Sequence, residues 1–153
     1  MAIQICEDDV SSDEMLALLQ AHADLMLSQL PPGSCHFLPA EGLRVPEVTV
    51  WSMWEDETLV GCGALKALPD GAGEVKSMHT RSDMRGKGYG RQMLEFILSE
   101  AARRNYSALY LETGSMDGFI PARKLYEVYG FDYCPPFGGY TLDPNSVYMH
   151  RAL

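Results

Sequence analysis

Glu74-Val75-Lys76-Ser77-Met78-His79-Thr80, then Arg81-Ser82-Asp83-Met84-Arg85-Gly86-Lys87-Gly88-Tyr89-Gly90-Arg91, then the run from Gln92 to Ala101: these three segments decide the fold. The first alternates as a strand does. The second sets glycine at Gly86, Gly88 and Gly90, between basic residues. In the third, Met93, Leu94, Ile97, Leu98 and Ala101 recur at helical spacing and make one apolar face. The order is strand, glycine-rich turn, helix. Such a turn leaves backbone N–H groups pointing out of a helix N-terminus, where the helix dipole adds partial positive charge. Glycine lets the backbone approach a ligand without a Cβ in the way. Arg85, Lys87 and Arg91 add full charges, so the stretch reads as a site for a phosphate or another anion.

The bulk of the chain limits what that anion is. With 153 residues the chain suits one domain with a sizeable core, spanning residues 1–153. A net charge of -9 argues against general nucleic-acid binding. Yet from Lys76 to Arg91, the residues Lys76, Arg81, Arg85, Lys87 and Arg91 stand against one acid, Asp83. An acidic body with one basic glycine turn fits an enzyme that holds an anionic cofactor. No apolar run is long enough to span a membrane, and the first residues do not read as a signal peptide, so the cytoplasm is the expected compartment. Cys6, Cys35, Cys62 and Cys134 are scattered without a CxxC pair, which favours reduced thiols over a zinc site.

Outward from the opening stretch, the periodicity gives the remaining elements. Residues 3–6 read as a first strand. Ser11, Ser12 and Asp13 are good helix caps before Met15, Leu18, Leu19, His22, Leu25 and Met26, and Pro31, Pro32 and Gly33 stop that helix. His22 falls on the apolar face and reads as a core or rim histidine with one hydrogen bond. Residues 34–47 read as a loop or a broken helix. Residues 48–54, 58–68 and 74–80 form a three-strand meander, with turns at Glu55-Asp56-Glu57 and Pro69-Asp70-Gly71. Trp51 and Trp54 read as core or sheet-face packing, since no basic residues interleave them. After the long helix, residues 108–113 read as a central strand. Pro121 opens a helix with Ala122, Leu125, Tyr126 and Tyr129 on one face, and Gly130 caps it. Residues 131–133 and 146–151 supply two final strands around a turn-rich loop.

Spacing removes two phosphate motifs. A P-loop needs Ser or Thr after Gly-Lys, and Gly88 follows Lys87. A dinucleotide fingerprint needs a third glycine where Arg91 stands, after a parallel unit rather than a meander. The remaining pattern, Arg85-Gly86-Lys87-Gly88-Tyr89-Gly90, resembles the signature of the GNAT superfamily of acetyl-CoA-dependent N-acetyltransferases. Ala122, Leu125, Tyr126, Gly130 and Phe131 resemble the family's later segment, and the order of elements agrees along nearly the whole chain. The runs Glu112-Thr113-Gly114-Ser115 and Asp143-Pro144-Asn145-Ser146-Val147 resemble those of a YsnE-like branch of small bacterial acetyltransferases. The resemblance implies a mixed α/β fold with a central, mostly antiparallel twisted sheet of about six to seven strands flanked by helices.

The resemblance also implies a division of labour. Acetyl-CoA is the cosubstrate. Its pyrophosphate would lie on Arg85, Gly86, Lys87, Gly88, Tyr89, Gly90 and Arg91, and its pantetheine arm on the backbone of Met78, His79 and Thr80. The Met78 N–H would polarise the acetyl carbonyl as negative charge develops. Where family members often carry asparagine this chain has Phe119, and Ser115 or Arg123 would replace that contact; Ser82 stands where proline is frequent. The amine must lose a proton before attack. Glu74, four residues before Met78 and so expected on the same strand face, is the first choice of base, with His79 and Glu112 as alternatives. Glu112 could bind the substrate ammonium. Tyr126 would return a proton to the leaving thiolate. The segments 35–46 and 135–146 would wall the acceptor pocket, where Asn145 and Ser146 could donate hydrogen bonds. The acids Glu112, Asp117 and Asp143 suit a cationic amine. The expected partner is a small-molecule amine, not nucleic acid or membrane, and a homodimer is left open.

Overall fold

The computed structural model describes residues 2–31 and 39–153. Strand β1 (Ile3–Asp8) leads into helix α1 (Asp13–Gln29). Ser12 caps that helix by accepting the Met15 N–H at 3.1 Å, an interaction worth about 1 kcal/mol. The helix stops before Pro31, as expected; Pro32 and Gly33 lie outside the described residues. A short helix α2 (Ala40–Leu43) occupies part of the stretch read as a loop. Strands β2 (Val48–Glu55), β3 (Thr58–Ala67) and β4 (Gly73–Thr80) form the meander. Then come α3 (Tyr89–Arg103), β5 (Ala108–Gly114), α4 (Ile120–Val128), β6 (Asp132–Cys134) and β7 (Ser146–Ala152).

The strands make one seven-stranded sheet in the order β1-β2-β3-β4-β5-β7-β6. Every neighbouring pair is antiparallel except β4 and β5. Each face is covered by helices, because alternate residues of each strand are apolar on both sides. On one face Trp51, Met53, Leu65, Val75, Leu109 and Met149 pack against Met93, Leu94 and Ile97 of α3 and Tyr126 of α4. On the other, Val48, Val50, Cys62 and Ala64 pack against Met15, Leu18 and Leu19 of α1 and Leu43 of α2. Trp51 is a core residue in edge contact with Phe96, and Trp54 packs beside the second cluster, as the absence of interleaved bases implied.

Two irregularities open the site. The parallel strands β4 and β5 pair only at Gly73 with Leu109 and Glu74 with Tyr110. Beyond that, residues 75–80 of β4 have no sheet partner on the β5 side. The second irregularity is a β-bulge in β4. Lys76 lies opposite Ala64 and His79 opposite Cys62, so Ser77 and Met78 share the place opposite Gly63. Ser77 has φ of 54°, the left-handed region that a non-glycine residue seldom enters. The Cys62 thiol donates to the Ser77 carbonyl at 3.2 Å and pins the bulge from β3.

The bulge corrects one expectation. Strict alternation sets Glu74 and Met78 on one strand face. The extra residue reverses the alternation between them. The Met78 sulfur lies beside Met93 and Ile97, over Gly63, on the α3 face. Glu74 and Lys76 pair with Lys66 and Ala64, and His79 with Cys62, on the α1 face.

Candidate active site

The glycine turn folds as its composition dictates. Gly86 and Gly88 have φ of 79° and 85°, so both need the freedom of glycine. Gly90 does not; a Cβ there would make only ordinary contacts with Thr80 and Leu125. Gly88 is the N-cap of α3 and offers no side chain to the first-turn amides, which therefore remain available to an anion. The Arg85 guanidinium donates to the Thr80 carbonyl at 3.3 Å and ties the turn to the end of β4. Tyr89 turns inward, where its hydroxyl donates to Glu55 at 2.6 Å.

A cavity of about 500 Å³ lies against this turn. Met78, His79 and Thr80 line it with Arg85, Gly86, Gly88, Tyr89, Gly90 and Arg91, and α4 closes it with Leu125 and Tyr126. Lys87 is the one member of the turn outside the lining; its ammonium is exposed, 3.8 Å from the Met84 sulfur. The site is electropositive at the turn and apolar towards α4, which matches a phosphate-ended chain with an apolar middle.

A second, smaller cavity of about 110 Å³ adjoins it within the gap between β4 and β5. Met78, Phe119, Tyr126 and His22 line both cavities. Glu74, Lys76, Glu112 and Tyr140 line the smaller one alone of the two. Tyr126 is therefore at the junction. Burial, then the charge of Glu112, pushes its phenol well above the usual tyrosine value, so it stays protonated at neutral pH.

Glu74 is almost fully enclosed, and so is Lys76. The Lys76 ammonium donates to Glu74 Oε2 at 2.9 Å and to the Tyr140 hydroxyl at 2.8 Å, and the Tyr140 hydroxyl donates to Glu74 Oε2 at 2.7 Å. Burial first, then the Glu74 charge, raises the Tyr140 phenol far above its ordinary range. The loop that carries Tyr140 is fastened by Phe137, whose ring meets those of Tyr110, Tyr140 and Tyr148, and by the Tyr148 hydroxyl donating to the Thr141 carbonyl at 2.7 Å.

His22 and His79 face each other between α1 and β4, with their Nδ1 atoms 3.3 Å apart. One ring donates and the other accepts. Burial, then the Arg85 charge, lowers His22 to about 4. Burial, then His22, then Arg85 lowers His79 to about 4. The pair is neutral at pH 7. His22 thus has the one hydrogen bond expected of it, and it also reaches the junction of the cavities. Burial pushes the Cys62 thiol up to about 12, so it stays a thiol.

Several expected site residues are engaged elsewhere. The Ser115 hydroxyl donates to the Pro144 carbonyl at 2.7 Å, and Arg123 donates to the carbonyls of Gly114 and Met116 at 2.7 and 3.1 Å. Both serve the loop after β5 and line neither cavity. Asn145 donates its backbone N–H to Asp143 at 2.9 Å, and Ser146 is buried at the start of β7 opposite Gly114; neither lines a cavity. Phe119 lies so close over Gly114 that a Cβ there would approach its ring to 2.3 Å, which makes Gly114 a packing glycine. Of the expected acceptor walls, segment 135–146 contributes Tyr140. Residues 39–46 of the other line neither cavity, and residues 35–38 lie outside the described residues. Helix α1 supplies that wall through His22 and Met26, with Leu30 just past its end. Lys76 was legible in the sequence as a second residue on the Glu74 face; Tyr140 had no local signal.

Comparison with known proteins adds to this geometry. Residues 14–131 match the model of the acetyltransferase (GNAT) family. The chain is 49% identical over 146 residues to a Bacillus subtilis protein named uncharacterized N-acetyltransferase YsnE, covering 95% of this chain and 97% of that one. It is 43% identical to uncharacterized N-acetyltransferase YedL of Escherichia coli, covering 95% and 92%. Among solved structures, a candidate acyl-CoA N-acyltransferase of Klebsiella pneumoniae superposes with a TM-score of 0.79 at 28% identity, over 99% of this chain and 97% of that one. PaiA N-acetyltransferase of Thermoplasma acidophilum, solved in complex with coenzyme A, superposes with a TM-score of 0.77 over 100% of both chains; its 13% identity speaks for the fold.

Proposed function

The chain belongs to the GNAT family of acetyltransferases and takes acetyl-CoA as its cosubstrate, and from this premise we propose that it moves the acetyl group directly to the amine of a small-molecule acceptor. The observation that carries the proposal is the small cavity behind the cofactor cavity. It is small, about 110 Å³, it is lined by Glu74 and Glu112, and it meets the larger cavity at Tyr126. An amine fits there; a folded protein surface does not.

In this reading the α3 N-terminus and Arg85 hold the pyrophosphate, and the unpaired edge of β4 receives the pantetheine arm. The Met78 N–H lies in the bulge and polarises the thioester carbonyl. Glu112 receives the acceptor ammonium. Glu74 takes its proton: Oε2 is fixed by Lys76 and Tyr140, while Oε1 has no hydrogen-bond partner among the described residues. The nitrogen then bonds to the acetyl carbon, the carbon–sulfur bond breaks, the Tyr126 hydroxyl gives its proton to the departing sulfur, and the second proton shed by the new amide nitrogen restores the phenol.

The test is a panel of amines with acetyl-CoA, read by release of free thiol. Turnover of at least one small amine is expected. Thiol release only with peptide or protein acceptors moves the assignment to protein amine acetylation. No release with any acceptor, with acetyl-CoA binding intact, moves it to a cofactor-binding sensor.

A further inference from the structure

A third hollow lies on the α1 face, outside the small cavity, bounded by Glu47, Lys66, Pro69, Gly138 and Thr141. Glu74, Lys76 and Tyr140 line both the hollow and the small cavity, so this hydrogen-bonded trio stands where the two adjoin. The charges on its two sides differ. On the inner side stands Glu112, with the Glu74–Lys76 pair neutral in sum and His22 uncharged. On the outer side stands Lys66, half-buried and without an ion-pair or hydrogen-bond partner among the described residues. Lys66 lies opposite Glu74, and Lys76 opposite Ala64, so the two lysines are diagonal neighbours on one face, about 7 Å apart at Cβ. Lys76 is 9% exposed, and its ammonium has three protons for two acceptors, Glu74 and Tyr140. Glu47 is exposed at the rim.

We propose that the acceptor is an amino carboxylate, its amine directed to Glu112 and Glu74 and its carboxylate held between Lys66 and the third Lys76 proton. The proposal rests on the small-molecule reading above and narrows it. A molecule with an ammonium at one end and a carboxylate at the other matches the field at both ends. A diamine matches only the inner end and places its second cation against Lys66. The trio also explains why a lysine is enclosed beside a carboxylate: a buried charge needs a partner, and the partner here leaves one donor over for substrate.

The experiment is steady-state acetylation, read by thiol release, of β-alanine, γ-aminobutyrate and δ-aminovalerate, each beside its carboxamide and the diamine of the same chain length. For one of these lengths, KM for the acid is expected to be about tenfold below that of its amide and of its diamine, the loss from one charge-assisted contact. Lys66→Met should raise KM for the acid about tenfold while leaving that of the amide unchanged, and Lys66→Arg should restore the acid. Equal KM for acid and amide at every length overturns the proposal alone, as does a preferred diamine or a Lys66→Met effect of equal size on both. No thiol release from any member, while another small amine turns over, overturns the proposal alone; no release from any small amine overturns it together with the small-molecule reading.

Discussion

At the residue scale, the proposed mechanism gives three side chains separable parts of the reaction. Tyr126→Phe removes one hydroxyl from a buried ring. It should lower kcat by about a hundredfold at saturating acetyl-CoA, with the acetyl-CoA dissociation constant unchanged. Unchanged turnover would return Tyr126 to plain packing against Phe131. Glu112→Gln should chiefly raise KM for the amine, since it loses the ammonium's countercharge. Glu74→Gln should lower kcat and also strip Lys76 of its partner. An uncompensated buried charge costs about 3 kcal/mol, so urea unfolding should register the variant as clearly as kinetics does. These roles were only partly legible. Glu74, Glu112 and Tyr126 stand in recognisable places. Tyr140 meets Glu74 from 66 positions away, in a loop whose Pro135-Pro136-Phe137-Gly138-Gly139 composition marks a turn and no more.

At the element scale, the strand–turn–helix unit was legible because its three signals are distinct, although the bulge at Ser77 breaks the two-residue period of β4. The alternation of β4, the glycines and the apolar face of α3 do not compete. Gly88→Val tests the turn, since a β-branched residue at φ of 85° is strained and would crowd the first-turn amides. Acetyl-CoA affinity should fall at least about tenfold in calorimetry while circular dichroism keeps its helical signal. Helix α1 offers a pH test. His22 and His79 are lowered from 6.5 to about 4, so the unfolded chain binds protons that the folded chain refuses. Their stabilisation is complete above pH 6.5 and is lost as pH falls from 6.5 towards 4. For His22 the loss is about 3 kcal/mol. Urea midpoints measured across that window should drop in the native protein and drop less in His22→Gln.

At the scale of the whole molecule, the sheet consists of four strands and three strands joined through two residue pairs. Sequence patterning supplied the strands, but not this short seam, because nothing local records how far two distant strands stay together. The larger cavity draws on both parts: β4 and α3 from one, α4 from the other. Acetyl-CoA bound there should brace them. At a concentration of one hundred times its dissociation constant, it should add about 2.7 kcal/mol to stability, seen as a rise in Tm that Gly88→Val cuts by about half or more at the same concentration. Hydrogen exchange should slow in α4 and at the free edge of β4 together. Protection confined to α3 would mean that the two parts respond independently.

The bulge at Ser77 works as an in-frame insertion in a code of two. Residues on either side of it keep the faces that an uninterrupted ladder would give them if Ser77 were absent. Excising Ser77 is therefore silent for packing: Glu74, Lys76 and His79 stay with α1, and Val75 and Met78 stay with α3. What vanishes is one peptide unit and the left-handed kink at Ser77. Such a deletion should fold and should still grip acetyl-CoA by its phosphates. On the proposed mechanism it should lose acetyl transfer, because the bulge that aims the Met78 N–H has been edited out while the other side chains of the site are kept.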